Sequence, residues 1–221
     1  MPETHESTAE LRSLAVRERA ALAALFDEVG PAAPTLCTGW VTRDLAAHLV
    51  VREGHPAAVG LLIRPLAGWT ARQQRRTASM DYSSLVERFR QGPPVISPMR
   101  VPGADSAANT FEHFVHHEDV RRAAPTWAPR LLDHQDQKTL WRLLSGRLRV
   151  YVRRSPVPVR FQAPGFGDLS VGNTDEPSTI SLSGTPAELV LYVHGRRDHT
   201  KVDFEGPDDS IRRWLQLSLE V

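Results

Sequence analysis

Cys37 is the only cysteine in the sequence. An internal disulfide is thereby excluded, and a lone thiol fits a reducing compartment. Lysine is almost missing: Lys138 and Lys201 stand alone among 27 basic residues, the rest being arginine. With abundant alanine, proline and glycine, that bias reflects a GC-rich coding source and says nothing of function. No charge excess exists either, 27 basic residues facing 26 acidic ones, so the overall field gives no reason to expect a nucleic-acid ligand. No apolar run approaches the roughly 18 to 20 residues of a membrane span. Internal repeats and low-complexity tracts are lacking. The opening residues, Met-Pro-Glu-Thr-His-Glu-Ser, are polar and acidic, whereas a signal peptide opens basic and turns apolar. The expectation is a cytoplasmic protein with no membrane partner. Its 221 residues, 41% hydrophobic and 24% charged, suit one large domain or two modest ones.

What the chain does have is histidine. Three of its nine histidines fall within five positions, in the run Asn-Thr-Phe-Glu-His-Phe-Val-His-His-Glu-Asp-Val-Arg-Arg from Asn109 to Arg122. Residues four apart on a helix project from nearly the same side. Glu112 and His116 therefore share a face, with Phe111, Phe114 and Val115 supplying apolar surface around them. A carboxylate and an imidazole one turn apart are two ligands for a divalent metal. His113 and His117 form a rival pair, rotated around the axis. One pair is expected to point inward and the other at solvent.

Periodicity orders the rest. A first helix runs from about Ser7 to Val29 and stops at Gly30-Pro31. After the tight turn Leu36-Cys37-Thr38-Gly39-Trp40, Thr42 is placed to cap a second helix, with Asp44 complementing its dipole. Leu45, His48, Leu49 and Arg52 line one side of it, which puts His48 in the apolar stripe. Leu61 to Trp69 continues or follows that helix past a break at Pro56. Arg72, Arg75 and Arg76 read as a solvated helix end. Tyr82 to Arg90 forms a short helix, and Gly92 to Asp105, rich in proline, a long connection. The central helix spans about Ser106 to Ala124, and a partner helix spans His134 to Arg154. These helices predict an antiparallel bundle over residues 1–154, with a domain boundary at Ser155-Pro156. The period then changes: Val157, Val159 and Phe161 alternate like a strand, as do Ile180 and Leu182. Thr185-Pro-Ala-Glu188 is a capping box opening a helix that ends at Gly195. Val202 to Phe204 is another strand, and a last helix follows Gly206-Pro207. Residues 155–221 are thus expected to form a small α+β domain.

The segment Gly39-Trp40-Val-Thr-Arg-Asp44-Leu-Ala-Ala-His48-Leu49, followed by Glu112-x-x-x-His116, resembles the DinB-like mycothiol-dependent maleylpyruvate isomerase family. The Phe-Val-His-His-Glu-Asp-Val-Arg-Arg run is similar to an actinobacterial subgroup of it. The resemblance spans the whole chain. It implies a DinB-like four-helix bundle, then a small C-terminal domain related in shape to sterol-carrier folds. It also implies that His48, Glu112 and His116 are the metal ligands and that His113 and His117 are peripheral. Zinc is the expected ion, with nickel and iron as alternatives. Three protein ligands leave a position open, the mark of a catalytic site. The implied function is transfer or isomerisation using mycothiol as thiol co-substrate on a small electrophile.

Around that centre, Asp119 lies three residues after His116 and is a candidate to orient its ring, the alternative being a pair with Arg121 or Arg122. Arg52, one turn after His48, is a candidate to meet an anionic substrate, the alternative being a surface salt bridge. Trp40 either stacks on a ligand or packs at the head of its helix. Cys37, with no evident base beside it, reads as buried and inert. Two other functions stay open: a metal-dependent hydrolase, in which a nearby carboxylate acts as base, and a non-catalytic metal-binding module.

Overall fold

The computed structural model describes residues 3–54, 67–93 and 106–219. The expected break at Pro56, the stretch from Leu61 to Leu66 and most of the long connection lie outside these residues, while Ala67 to Trp69 open a helix. The described residues comprise eight α-helices and a four-stranded mixed sheet, so the chain is α+β with a helical part. Two compact units divide it, Met1–Trp127 and Ala128–Val221.

The first unit contains α1 (Glu3–Val29), α2 (Thr42–Gly54), α3 (Ala67–Ala78), α4 (Tyr82–Gln91) and α5 (Ser106–Arg121). Its core is assembled from apolar stripes at helical spacing: Leu22, Ala23 and Phe26 of α1, Leu45, Ala46 and Leu49 of α2, and Leu85, Val86 and Phe89 of α4. Val120 of α5 joins them. Arg72, Arg75 and Arg76 lie exposed on α3, a solvated helix face as the sequence suggests.

The start of α2 differs in detail from expectation. Thr42 is already helical, and it is Asp44 Oδ2 that accepts the Val41 N–H, at 3.1 Å. The Thr42 hydroxyl instead donates to Gly30 O at 2.5 Å, tying α2 to the end of α1. Polar caps at helix starts compete for several nearby partners, and here the end of the preceding helix is nearer.

The second unit opens with α6 (His134–Tyr151), capped by Asp133, whose side chain accepts from Asp136 N. Then come β1 (Val159–Ala163), β2 (Gly167–Val171), β3 (Ile180–Ser183), α7 (Pro186–Val193), β4 (Asp203–Glu205) and α8 (Asp208–Leu215). The sheet order is β2-β1-β3-β4, with β1 and β3 parallel and the outer pairings antiparallel. Val159, Phe161, Ile180 and Leu182 point to the buried face, where Phe161 and Tyr192 meet Trp214. Trp214 Nε1 donates to Tyr192 Oη at 2.8 Å, satisfying its buried N–H.

The compact units part at Trp127/Ala128, not at the 154/155 boundary that periodicity suggested. α6 belongs with the sheet. Gln137 Oε1 accepts the Ala187 N–H at 3.0 Å, serving a first-turn donor of α7 that no helical carbonyl can reach. A helical stripe shows that Leu140, Leu144 and Leu148 are buried; it does not say against which neighbour.

Candidate metal centre

α5 is buried around most of its circumference. His113 is fully buried and His117 nearly so, alongside Phe111, Phe114, Val115, Glu118 and Asp119. This corrects the expectation that one histidine pair faces solvent. α1 covers the His113/His117 side with polar groups of its own. His113 Nδ1 meets Ala15 O at 3.0 Å, and its Nε2 meets Glu53 Oε1 at 2.6 Å. His117 Nδ1 meets Glu18 Oε2 at 2.8 Å. Arg19 joins Glu53 at 2.5 Å. Burial works to raise the Glu53 pKa, but His113 and Arg19 together outweigh it and hold the carboxyl below its usual value.

On the other side of α5 the pattern changes. His48 Nε2 lies 3.1 Å from Glu112 Oε1, and His116 Nε2 lies 3.2 Å from the same oxygen. Two imidazoles from different helices thus converge on one carboxylate atom. The two rings sit edge to face, 5.6 Å between centroids. These side chains stay partly exposed, at 14% for His48, 13% for His116 and 22% for Glu112. Trp40 leans on the His48 ring at 5.1 Å and so packs at the helix head and against this group at once.

His116 is oriented from behind. Its Nδ1 lies 2.8 Å from Oδ2 of the fully buried Asp119. Arg121 and Arg122 both pair with Glu118, at 3.0 Å and 2.5 Å. A hydrogen bond at Nδ1 directs Nε2 toward Glu112 and His48. Burial lowers the His116 pKa, yet the bonds to Asp119, Cys37 and Glu112 outweigh it and hold it well above the usual range. Burial likewise raises Glu112, and His116, His48 and Arg52 pull it well below. The opposite directions report a coupled group, in which the Glu112 carboxylate and the His116 ring each stabilise the charge of the other.

Arg52 is no surface residue. Its side chain is 12% exposed, with Nε 3.3 Å from Glu112 Oε1 and Nη1 donating to Asn109 Oδ1 at 2.7 Å. Its partners thus include the carboxylate of the centre itself.

Cys37 overturns its expected inertness. The Sγ donates to Asp119 Oδ2 at 3.2 Å and lies 3.7 Å from His116 Nδ1, so a carboxylate and an imidazole both adjoin it. The thiol is partly exposed. A closed loop puts it there: Pro34 bridges to Val41, Thr35 Oγ1 donates to Trp40 O at 2.8 Å, and Gly39 turns the chain at φ +77°. That left-handed conformation suits glycine because it has no Cβ. Leu36 N then donates to Asp119 O at 3.0 Å, docking the loop on the end of α5. Spacing in the sequence carries no sign of that pairing, so it shows no base beside Cys37.

The donor atoms of His48, Glu112 and His116 lie within 4.8 Å of one another, as do those of Cys37, His116 and Asp119. Ligands of a tetrahedral ion at about 2.0–2.1 Å stand about 3.3 Å apart. Two of the three separations in the first set, 3.1 and 3.2 Å, are close to that spacing, and the third lies within 4.8 Å. Among the described residues no helix is long and apolar enough to cross a membrane. Comparison of the chain with protein-family models, curated proteins and solved structures gives no match.

Proposed function

We propose that the protein is a metal-dependent thiol transferase or isomerase that uses a low-molecular-weight thiol, mycothiol in the reading by resemblance, on a small electrophile. In this reading the helical unit is a DinB-like bundle and the second unit a sterol-carrier-like domain. One observation carries it: His48 Nε2 and His116 Nε2 converge on Glu112 Oε1 in a partly exposed group of three donors. Three protein ligands leave a coordination position for an outside molecule. A divalent ion bound there supplies the positive charge that keeps a thiol ionised at neutral pH.

The chain's own residues do the rest. Asp119 holds the Nδ1 proton of His116 and so keeps Nε2 aimed at the centre. Trp40 backs the His48 ring against rotation. Arg52 offsets the charge of Glu112 and adds a cation beside the site, which favours an acidic electrophile. Hydrolysis is the weaker reading because it needs a carboxylate at liberty to take a proton from water. Glu112 and Asp119, the carboxylates of the centre, are both engaged with histidines.

The test uses cobalt-loaded Cys37→Ser protein, whose own thiol has been removed. Adding mycothiol or a simpler thiol should produce a sulfur-to-cobalt charge-transfer band, and an electrophile should then consume the thiol. Neither response, at full cobalt occupancy, sinks the transferase reading and leaves the hydrolase and the non-catalytic module.

A further inference from the structure

His116 presents one ring nitrogen to each of two donor groups. Nε2 faces Glu112 and His48, whereas Nδ1 faces Asp119 and Cys37. On the Nδ1 side, Sγ stands 3.7 Å from Nδ1 and 3.2 Å from Asp119 Oδ2, and Oδ2 stands 2.8 Å from Nδ1. Zinc bonds of about 2.3 Å to sulfur and about 2.0–2.2 Å to nitrogen and oxygen separate tetrahedral donors by roughly 3.3–3.6 Å. The three atoms therefore reach ligand spacing by moving roughly half an ångström or less.

We propose that Cys37, Asp119 and Nδ1 of His116 form a second metal site, shared with the first through the His116 ring. It would take a thiophilic divalent ion such as Zn2+, Co2+ or Cd2+. A thiolate among the donors favours soft and borderline ions over Mg2+ or Ca2+. The loop bonds already in place hold Cys37 at the end of α5, so no rearrangement of backbone is needed. Loading both positions releases the Cys37 proton and the ring protons of His116. The donors then carry four negative charges, on the Cys37 thiolate, Asp119, Glu112 and the bridging imidazolate, against four positive charges on two divalent ions, and Arg52 beside Glu112 leaves one positive charge for an outside anion. The competing account makes Cys37 and Asp119 hydrogen-bonded props that only orient His116. This inference needs the first site's ligands but not its thiol chemistry.

The experiment is a Co2+ titration of the metal-free full-length chain with no thiol added. The expected result is two ions per chain and a sulfur-to-cobalt charge-transfer band. Cys37→Ser should bind one ion without the band. Asp119→Asn should lose the same ion while keeping the cysteine, and Glu112→Gln should keep the band with one ion. Circular dichroism confirms that each variant retains its helices. One ion without a band in the unaltered chain overturns the second site and leaves the first. One ion with a band that Cys37→Ser removes overturns the shared pair; if Glu112→Gln leaves that band intact, the first ligand set falls too. Two ions without a band, or a band that survives Cys37→Ser, overturns ligation by Cys37. The thiol test of the function runs in Cys37→Ser, so its failure is separate from any of these.

Discussion

Two sides of one helix carry nearly the same chemistry to different ends. On one side of α5, His113 and His117 meet Glu53 and Glu18; on the other, His116 meets Glu112 and Asp119. Both sides pair imidazoles with carboxylates at hydrogen-bond distance. What separates them is exposure and convergence. His113 and Glu53 are 1% and 3% exposed, and each His113 nitrogen ends on a different acceptor. Such a group fastens α5 to α1 and α2. On the open side two rings point at one oxygen and solvent reaches all three residues. His113 Nε2 also shares its target oxygen, but with the Arg19 guanidinium, which ligates no metal; a histidine becomes a ligand candidate when it shares a target with another imidazole within reach of solvent.

Breaking the closed side should have the largest effect on stability. Glu53→Gln removes the buried carboxylate that pairs with the partly buried Arg19 and meets the buried His113 Nε2, and is expected to cost about 3–5 kcal/mol. Urea unfolding measures this, and metal content per folded molecule should stay unchanged. The same carboxyl sets a pH dependence. Its native pKa lies below the ordinary glutamate value, so the folded state binds that proton less readily than the unfolded chain. The stabilisation is present above the unfolded value and fades as pH falls through the native one. The acid limb of the stability curve should flatten in Glu53→Gln; an unchanged slope would remove Glu53 from the account.

A middle-sized effect should follow on the open side. Asp119→Asn leaves the His116 ring less firmly oriented and should weaken metal binding at the His48/Glu112/His116 site about 10–100-fold. The measurement belongs in the Cys37→Ser background, where only that site is read, by competition with a chelator of known affinity. An affinity equal to that of the parent would show that Asp119 does not orient the ligand.

The smallest effect concerns the loop that carries Cys37. Gly39→Ala places a Cβ at φ +77°, with open space around it, so the cost is backbone strain alone. About 1–2 kcal/mol is expected from thermal unfolding. A stabilised protein would mean that the turn is not held as described.

Much of this was legible in residue order. Period foretold α2, α4, α5 and α7, and Thr185 caps α7 as expected, its Oγ1 accepting from Glu188 N at 3.4 Å, while Glu188 Oε2 accepts from Lys201 N. Spacing offered two pairs on α5, Glu112 with His116 and His113 with His117, and only the resemblance singled out the first together with His48. The sealing of His113 and His117 was not legible, because Glu18 and Glu53 look like ordinary wet-face residues until α1 is laid on α5. Nor was the place of α6, since burial periodicity names a face and not its partner. Cys37 needed a backbone bond between Leu36 and Asp119, which no local pattern encodes.

The central claim is that the open side, and not the closed one, binds metal. Zinc content after loading and dialysis, measured in Cys37→Ser protein and normalised to folded chains, tests it most directly. The account predicts one zinc per chain, falling to background in His48→Ala, Glu112→Gln and His116→Ala, and unchanged in His113→Gln and His117→Gln. Zinc that survives loss of Glu112 and His116, or that disappears with His113 or His117, would contradict it.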